Sequence, residues 1–189
     1  MCRDCIQNPS PSSNGKPLLM SVVDACYRAG QQILRDRTKA ERKTAGQYLT
    51  LPAVARHMAR MLGVPRRGAV VVEPAIGSGV LAAAVIEHAV VRGFATQFRL
   101  VGYDTDAALL QAASDALDGA VDRAAKHGVD VTLDLRHEDF ILDHIGTPAP
   151  TLFDDAPPPA SETSDPARYD AVLANPPYFN PPCEVPGIT

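Results

Sequence analysis

Asn175-Pro176-Pro177-Tyr178 stands directly after an apolar, β-branched run, in the stretch YDAVLANPPYF over residues 169–179. The prolines fix a turn whose carbonyls are free to accept hydrogen bonds from a ligand amine, because proline has no N–H of its own. Tyr178 offers a flat face for stacking. An amino group conjugated with a ring or a carbonyl is a poor nucleophile, since its lone pair is delocalised. Accepting both its hydrogens, one at Asn175 Oδ1 and one at the Pro176 carbonyl, pushes that lone pair out of conjugation toward an incoming electrophile. No strong base is needed. The competing reading is a Pro-Pro turn with no ligand, and the other segments must decide.

Three of these hold candidate ligand groups. EPAIGSG (73–79) places Gly77 and Gly79 between a strand and a helix, where a backbone without Cβ can approach a ligand closely. A tight turn would use the same glycines, and the G-x-G-x-x-G of a dinucleotide site is absent, which counts against NAD. Asp104 ends a second apolar run, where an open α/β sheet commonly presents an acid to two ribose hydroxyls. With Thr105 and Asp106 beside it, Asp104 reads equally well as part of a helix start. Asp139 and Phe140 would pair an acceptor for an adenine amino group with a ring to stack on it, against the commoner arrangement of a surface Asp and a buried Phe.

Positioning these groups requires alternating strands and helices. Residues 1–17 are rich in Pro, Ser and Asn and read as a mobile leader. Apolar positions at helical spacing predict a helix from Leu18 to about Lys39, with a basic, solvated tail to Lys43. A second helix begins near Leu51, with Pro52 in its first turn and Thr50 as N-cap, and ends at Gly63 and Pro65. A buried strand (69–74), an Ala/Val helix (80–91), a strand (98–104), a helix from Thr105 to Lys126 capped by Thr105 and stopped by Gly128, and an alternating strand (129–140) follow. Residues 146–168 form an acidic, Pro-rich loop before a fourth strand, 169–174. Such alternation implies right-handed crossovers and a parallel sheet with helices on both faces, an α/β fold whose ligands bind beyond the carboxyl ends of the strands. The four segments then open onto one crevice.

Composition agrees. The chain of 189 residues has the length of one domain, and its 46% apolar share with few aromatics suits an α/β protein. No apolar run approaches a membrane span and no signal pattern opens the chain, so a soluble, cytoplasmic protein is expected. Of the cysteines, Cys2 and Cys5 form a C-x-x-C without a second ligand pair nearby, so no metal site is expected; with Cys26 and Cys183 they suit a reducing compartment. The net charge of −4 argues against a large basic nucleic-acid surface within these residues.

TAGQYLTLPAVARHM, EPAIGSG, GYDTD, HEDF and NPPY, in this order, resemble motifs X, I, II, III and IV of the S-adenosylmethionine-dependent amino-methyltransferases, arranged as in the γ-class DNA adenine-N6 methyltransferases of restriction-modification systems. The resemblance spans about residues 44–179. It implies a Rossmann-like methyltransferase fold, S-adenosylmethionine as cofactor and DNA as substrate. It further implies that Tyr48 and Thr50 hold the methionine carboxylate end of the cofactor, that Glu73, Pro74, Gly77 and Gly79 line its methionine and ribose portion, that Asp104 takes the ribose hydroxyls, and that Asp139 and Phe140 bind its adenine. Asn175, Pro176, Pro177 and Tyr178 would form the catalytic turn that holds the target amine, flipped out of the duplex.

Leu51 separates Thr50 from Pro52, where the family runs Thr directly into Pro. The family also continues beyond the point where this sequence stops, with further strands and a target-recognition domain. Residues 18–189 are therefore expected to be the N-terminal portion of a catalytic domain, inactive alone, with strand 169–174 central in the complete sheet and a complementing C-terminal part as partner. Whether a restriction endonuclease accompanies it is left open. Protein-glutamine N5-methyltransferases and some RNA methyltransferases share an NPPY-like motif and stand as the alternative, with GQYLT upstream favouring DNA. A non-catalytic cofactor- or partner-binding fragment is the second alternative.

Overall fold

The computed structural model describes residues 21–38, 40, 48–144 and 169–175. The leader, the 146–168 loop, and Pro176, Pro177 and Tyr178 lie outside the described residues. Helix α1 spans Val22–Arg35. Val22, Cys26, Gly30 and Leu34 recur every four residues along its buried stripe. Its first turn is held from outside: Glu87 Oε1 accepts from Ser21 Oγ at 2.7 Å and from the Val23 N–H at 3.3 Å. Helix α2 spans Pro52–Leu62 with Pro52 at its start and Gly63 at its end.

Strand β1 (Ala69–Glu73), helix α3 (Val80–Arg92), strand β2 (Thr96–Tyr103), helix α4 (Ala107–Ala125) and strand β3 (Val129–Arg136) follow, then a short helix α5 (Phe140–His144) and strand β4 (Ala171–Val172). The strands form one parallel sheet in the order β3-β2-β1-β4. Ala69, Val71, Phe98 and Leu100 pack with α1–α4 in the main core, whereas the alternate positions Val72, Val101 and Tyr103 face the other way, toward Phe140 and Tyr169. Helices thus lie on both faces, as expected, but very unequally. Helix α3 is buried on nearly all sides, and its run of alanines lets α1, α2 and α4 approach it closely.

Several boundaries differ from expectation. Leu51, not Thr50, is the N-cap of α2, and no side chain caps that helix. Asp106, not Thr105, caps α4, its carboxylate accepting from the N–H groups of Ala108 and Leu109, both at 3.1 Å. β3 ends at Arg136, short of Asp139 and Phe140, because the Asp139 carboxylate accepts from the N–H groups of Ile141 and Leu142 and starts α5 instead. β4 is two residues long and pairs with β1 alone among the described residues, with Val172 exposed and Leu173 buried, so no strand buried on both faces is seen there.

The loop after β1 is seated on β2. The Ile76 N–H donates to the Tyr103 carbonyl at 2.8 Å, and the Ile76 side chain fills the space over Gly102. A Cβ on Gly102 would stand 2.4 Å from Ile76 Cδ1 and 3.2 Å from Ile76 Cβ. Gly102→Ala is therefore expected to destabilise the fold by about 1–3 kcal/mol in urea unfolding. An unchanged midpoint would show that Ile76 is not held there.

Candidate functional site

The β1–α3 loop turns at Gly77 (φ 54°) and Gly79 (φ 81°), both in the left-handed region that favours glycine. A Cβ at Gly77 would meet no atom within 4 Å, so the backbone there faces open space, whereas one at Gly79 would press on Leu117 at 3.0 Å. The two glycines thus differ in setting, an open backbone at Gly77 and close helix packing at Gly79. Asp104, just past β2, ties to this loop: Oδ2 accepts from the Gly77 N–H at 2.7 Å and Oδ1 from the Asp106 N–H at 2.8 Å. Each carboxylate oxygen keeps a second lone pair for a ligand hydroxyl.

The loop, the segment before α2 and the end of β4 meet in one small cleft. Tyr48, Thr50, Glu73, Gly77, Ser78 and Asn175 are among its lining residues. Its enclosed part holds about 30 Å³, room for a single small polar group. Asn175 Nδ2 donates to Thr50 Oγ1 at 3.1 Å across 125 residues of sequence. That bond fixes the amide plane and leaves Oδ1 without a partner among the described residues.

Two buried oxygens in this cleft, Glu73 Oε2 and Ser78 Oγ, have no hydrogen-bond partner among the described residues. Glu73 closes β1 with 3% exposure. Burial pushes its carboxyl well above the usual range; a hydrogen bond from the Ala82 N–H opposes this and the nearby Asp104 adds to it. Burial also raises Asp104, against its two backbone hydrogen bonds. Glu73 in the cleft and Asp104 beside it are thus two carboxyls whose charged forms are disfavoured, a setting that a cationic ligand would relieve. Burial and Glu73 push the Cys26 thiol beneath up to about 12, leaving it inert.

Of the expected site residues, Tyr48, Thr50, Glu73, Gly77 and Asn175 line the cleft, with Asp104 joined to it through Gly77. Pro74 and Gly79 belong to the same loop without lining the cleft. Asp139 and Phe140 stand apart from it: Asp139 caps α5, and Phe140 stacks on His144 at 4.2 Å and meets Tyr103 edge-on at 5.2 Å. Ser78 was not anticipated, nor was Gly30, where a Cβ would come within 2.4 Å of Ser78 Oγ. A glycine inside the stripe of α1 is the one signal of that close approach. Also unforeseen is Arg37, whose guanidinium pairs with both oxygens of Asp106 and so fixes the turn that carries Asp104.

The residues fit an S-adenosylmethionine-like group in chemistry: orphaned acceptors, an open glycine backbone and a ribose-type acid side by side. No curated protein matches this chain. The model of the N-6 DNA methylase family, however, matches residues 23–181, from the first turn of α1 to beyond Asn175 and so across the whole cleft, and the chain belongs to that family.

Proposed function

We propose that the protein transfers a methyl group from S-adenosylmethionine to the N6 amino group of adenine in DNA, as a γ-class enzyme of a restriction-modification system in the cytoplasm. The observation that carries this reading is the placement of Asn175 on Thr50, in the cleft of the glycine loop. Tyr48, Thr50, Glu73, Gly77 and Asp104 would hold the cofactor, with Ser78 added to the expected set. When bound, the cofactor supplies an electrophilic methyl group on a positively charged sulfur. The chain's own part is to orient the amine. Asn175 Oδ1 and the Pro176 carbonyl accept its two hydrogens, localising the lone pair, while Tyr178 stacks on the base.

The test is methylation of duplex DNA with isotope-labelled cofactor, followed by mass analysis of the products. N6-methyladenine supports the reading; label found only in RNA or on protein glutamine overturns it. Cofactor binding has a separate test. Asp104→Ala is expected to weaken S-adenosylmethionine by about 1–3 kcal/mol in calorimetric titration, since it removes the acceptor of two hydroxyls and the anchor of the Gly77 N–H. Equal affinity for wild type and variant would remove Asp104 from the site.

A further inference from the structure

A second, wider cleft lies elsewhere, between the C-terminal ends of α2 and α3. It measures about 460 Å³ and is lined by Arg60, Gly63, Val64, His88, Arg92 and Phe94. Gly63 and Val64 precede β1 and Phe94 precedes β2, so the cleft sits at the amino ends of the strands. The thirteen-residue α3 separates it from the glycine loop by about 20 Å.

Its lining carries positive charge and no carboxylate. Arg60 and Arg92 come from the last turns of two different helices, and neither has an ion-pair partner among the described residues. A cation in a last turn complements its own helix dipole, but that role does not require two guanidinium groups to converge on one cleft. Burial, and after it the nearby charges of Arg92 and Arg60, hold the His88 imidazole below its ordinary range. Phe94 is 59% exposed, with the Arg92 guanidinium 5.9 Å from its ring centroid.

Guanidinium pairs recognise phosphate oxygens in a fixed fork geometry, an exposed ring takes a flat partner, and the volume suits a small organic ligand. We propose that this cleft binds a small phosphorylated ligand carrying a flat ring, of the nucleotide kind. The site is distinct from the methyl-transfer cleft and does not rest on that function.

The experiment titrates the protein, saturated with S-adenosylmethionine to keep adenosine out of the other site, with ADP, inorganic pyrophosphate and adenosine. Amide shifts of Gly63, Val64 and Phe94 locate binding and calorimetry measures it. ADP is expected to bind at these amides, pyrophosphate more weakly, and adenosine not at all. Arg60→Ala with Arg92→Ala should weaken ADP roughly tenfold or more. Phe94→Ala, which keeps both charges, should weaken ADP and leave pyrophosphate unchanged. ADP leaving the three amides unmoved, or binding the double variant as well as wild type, would overturn the proposal. So would movement of these amides by duplex DNA or an acidic peptide but not by ADP.

Discussion

Asn175→Ala is expected to slow methyl transfer by about 10²–10³-fold in the intact enzyme while leaving cofactor affinity nearly unchanged. In the proposed reaction the amide would act where charge develops, on the amine as its lone pair is released, so its loss would raise the barrier rather than weaken the ground state. The structure adds a reason why the position is demanding. Nδ2 is committed to Thr50 Oγ1, so Oδ1 is the acceptor left to the amine. Thr50→Val, which removes the partner of Nδ2 but keeps the shape, should therefore reproduce part of the defect, roughly a fivefold loss in rate for a hydrogen bond of about 1 kcal/mol. Single-turnover rates measured beside calorimetric cofactor affinities check both variants. An Asn175→Ala enzyme that lost cofactor affinity in proportion to rate would place Asn175 on the cofactor instead of the amine.

What could be read from the sequence follows from how local each signal is. The strand–glycine–helix unit at 69–92 was legible because an apolar run, two glycines and an alanine-rich helix lie next to one another. Helix ends were less legible, since several capping residues compete within one or two positions: Thr50 is drawn into the cleft, leaving Leu51 at the cap, and Asp106 outbids Thr105 because its carboxylate reaches two N–H groups. At 129–140 the alternation of apolar and polar residues runs past the true end of β3. The Asp139 side chain captures the next backbone donors and turns the chain into α5.

Contacts between distant elements left almost no trace. Ser78 under Gly30 and Arg37 on Asp106 depend on how α1 crosses the loops, and nothing local predicts that crossing. Asn175 was the exception. Its place beside the glycine loop was expected from the order of the motifs, although its partner, Thr50, became evident only from the fold.

Glu73 yields the second large effect, and its sign can be derived. Burial raises its folded-state pKa well above the ordinary glutamate value. Between the unfolded and folded values the native state keeps a proton that the unfolded chain releases, so stability falls as pH rises through that window. The stabilising contribution is whole below the ordinary value and is lost as pH climbs to the folded value, at a slope on the order of 1 kcal/mol per pH unit. Glu73→Gln keeps the shape and cannot ionise, so its stability should lack this component. Subtracting the two stability–pH curves, from urea unfolding at several pH values, removes most of the contribution of Asp104, which is raised in the same direction. The cofactor links to the same proton. A positively charged ligand favours ionised Glu73, so its binding should expel the proton and tighten as pH rises through the window, whereas the Gln variant should bind more weakly and with less pH dependence. Calorimetry in two buffers of different ionisation enthalpy counts the proton directly. Parallel stability curves for wild type and Glu73→Gln would mean that Glu73 is ionised in the folded protein, its charge met by a group outside the described residues.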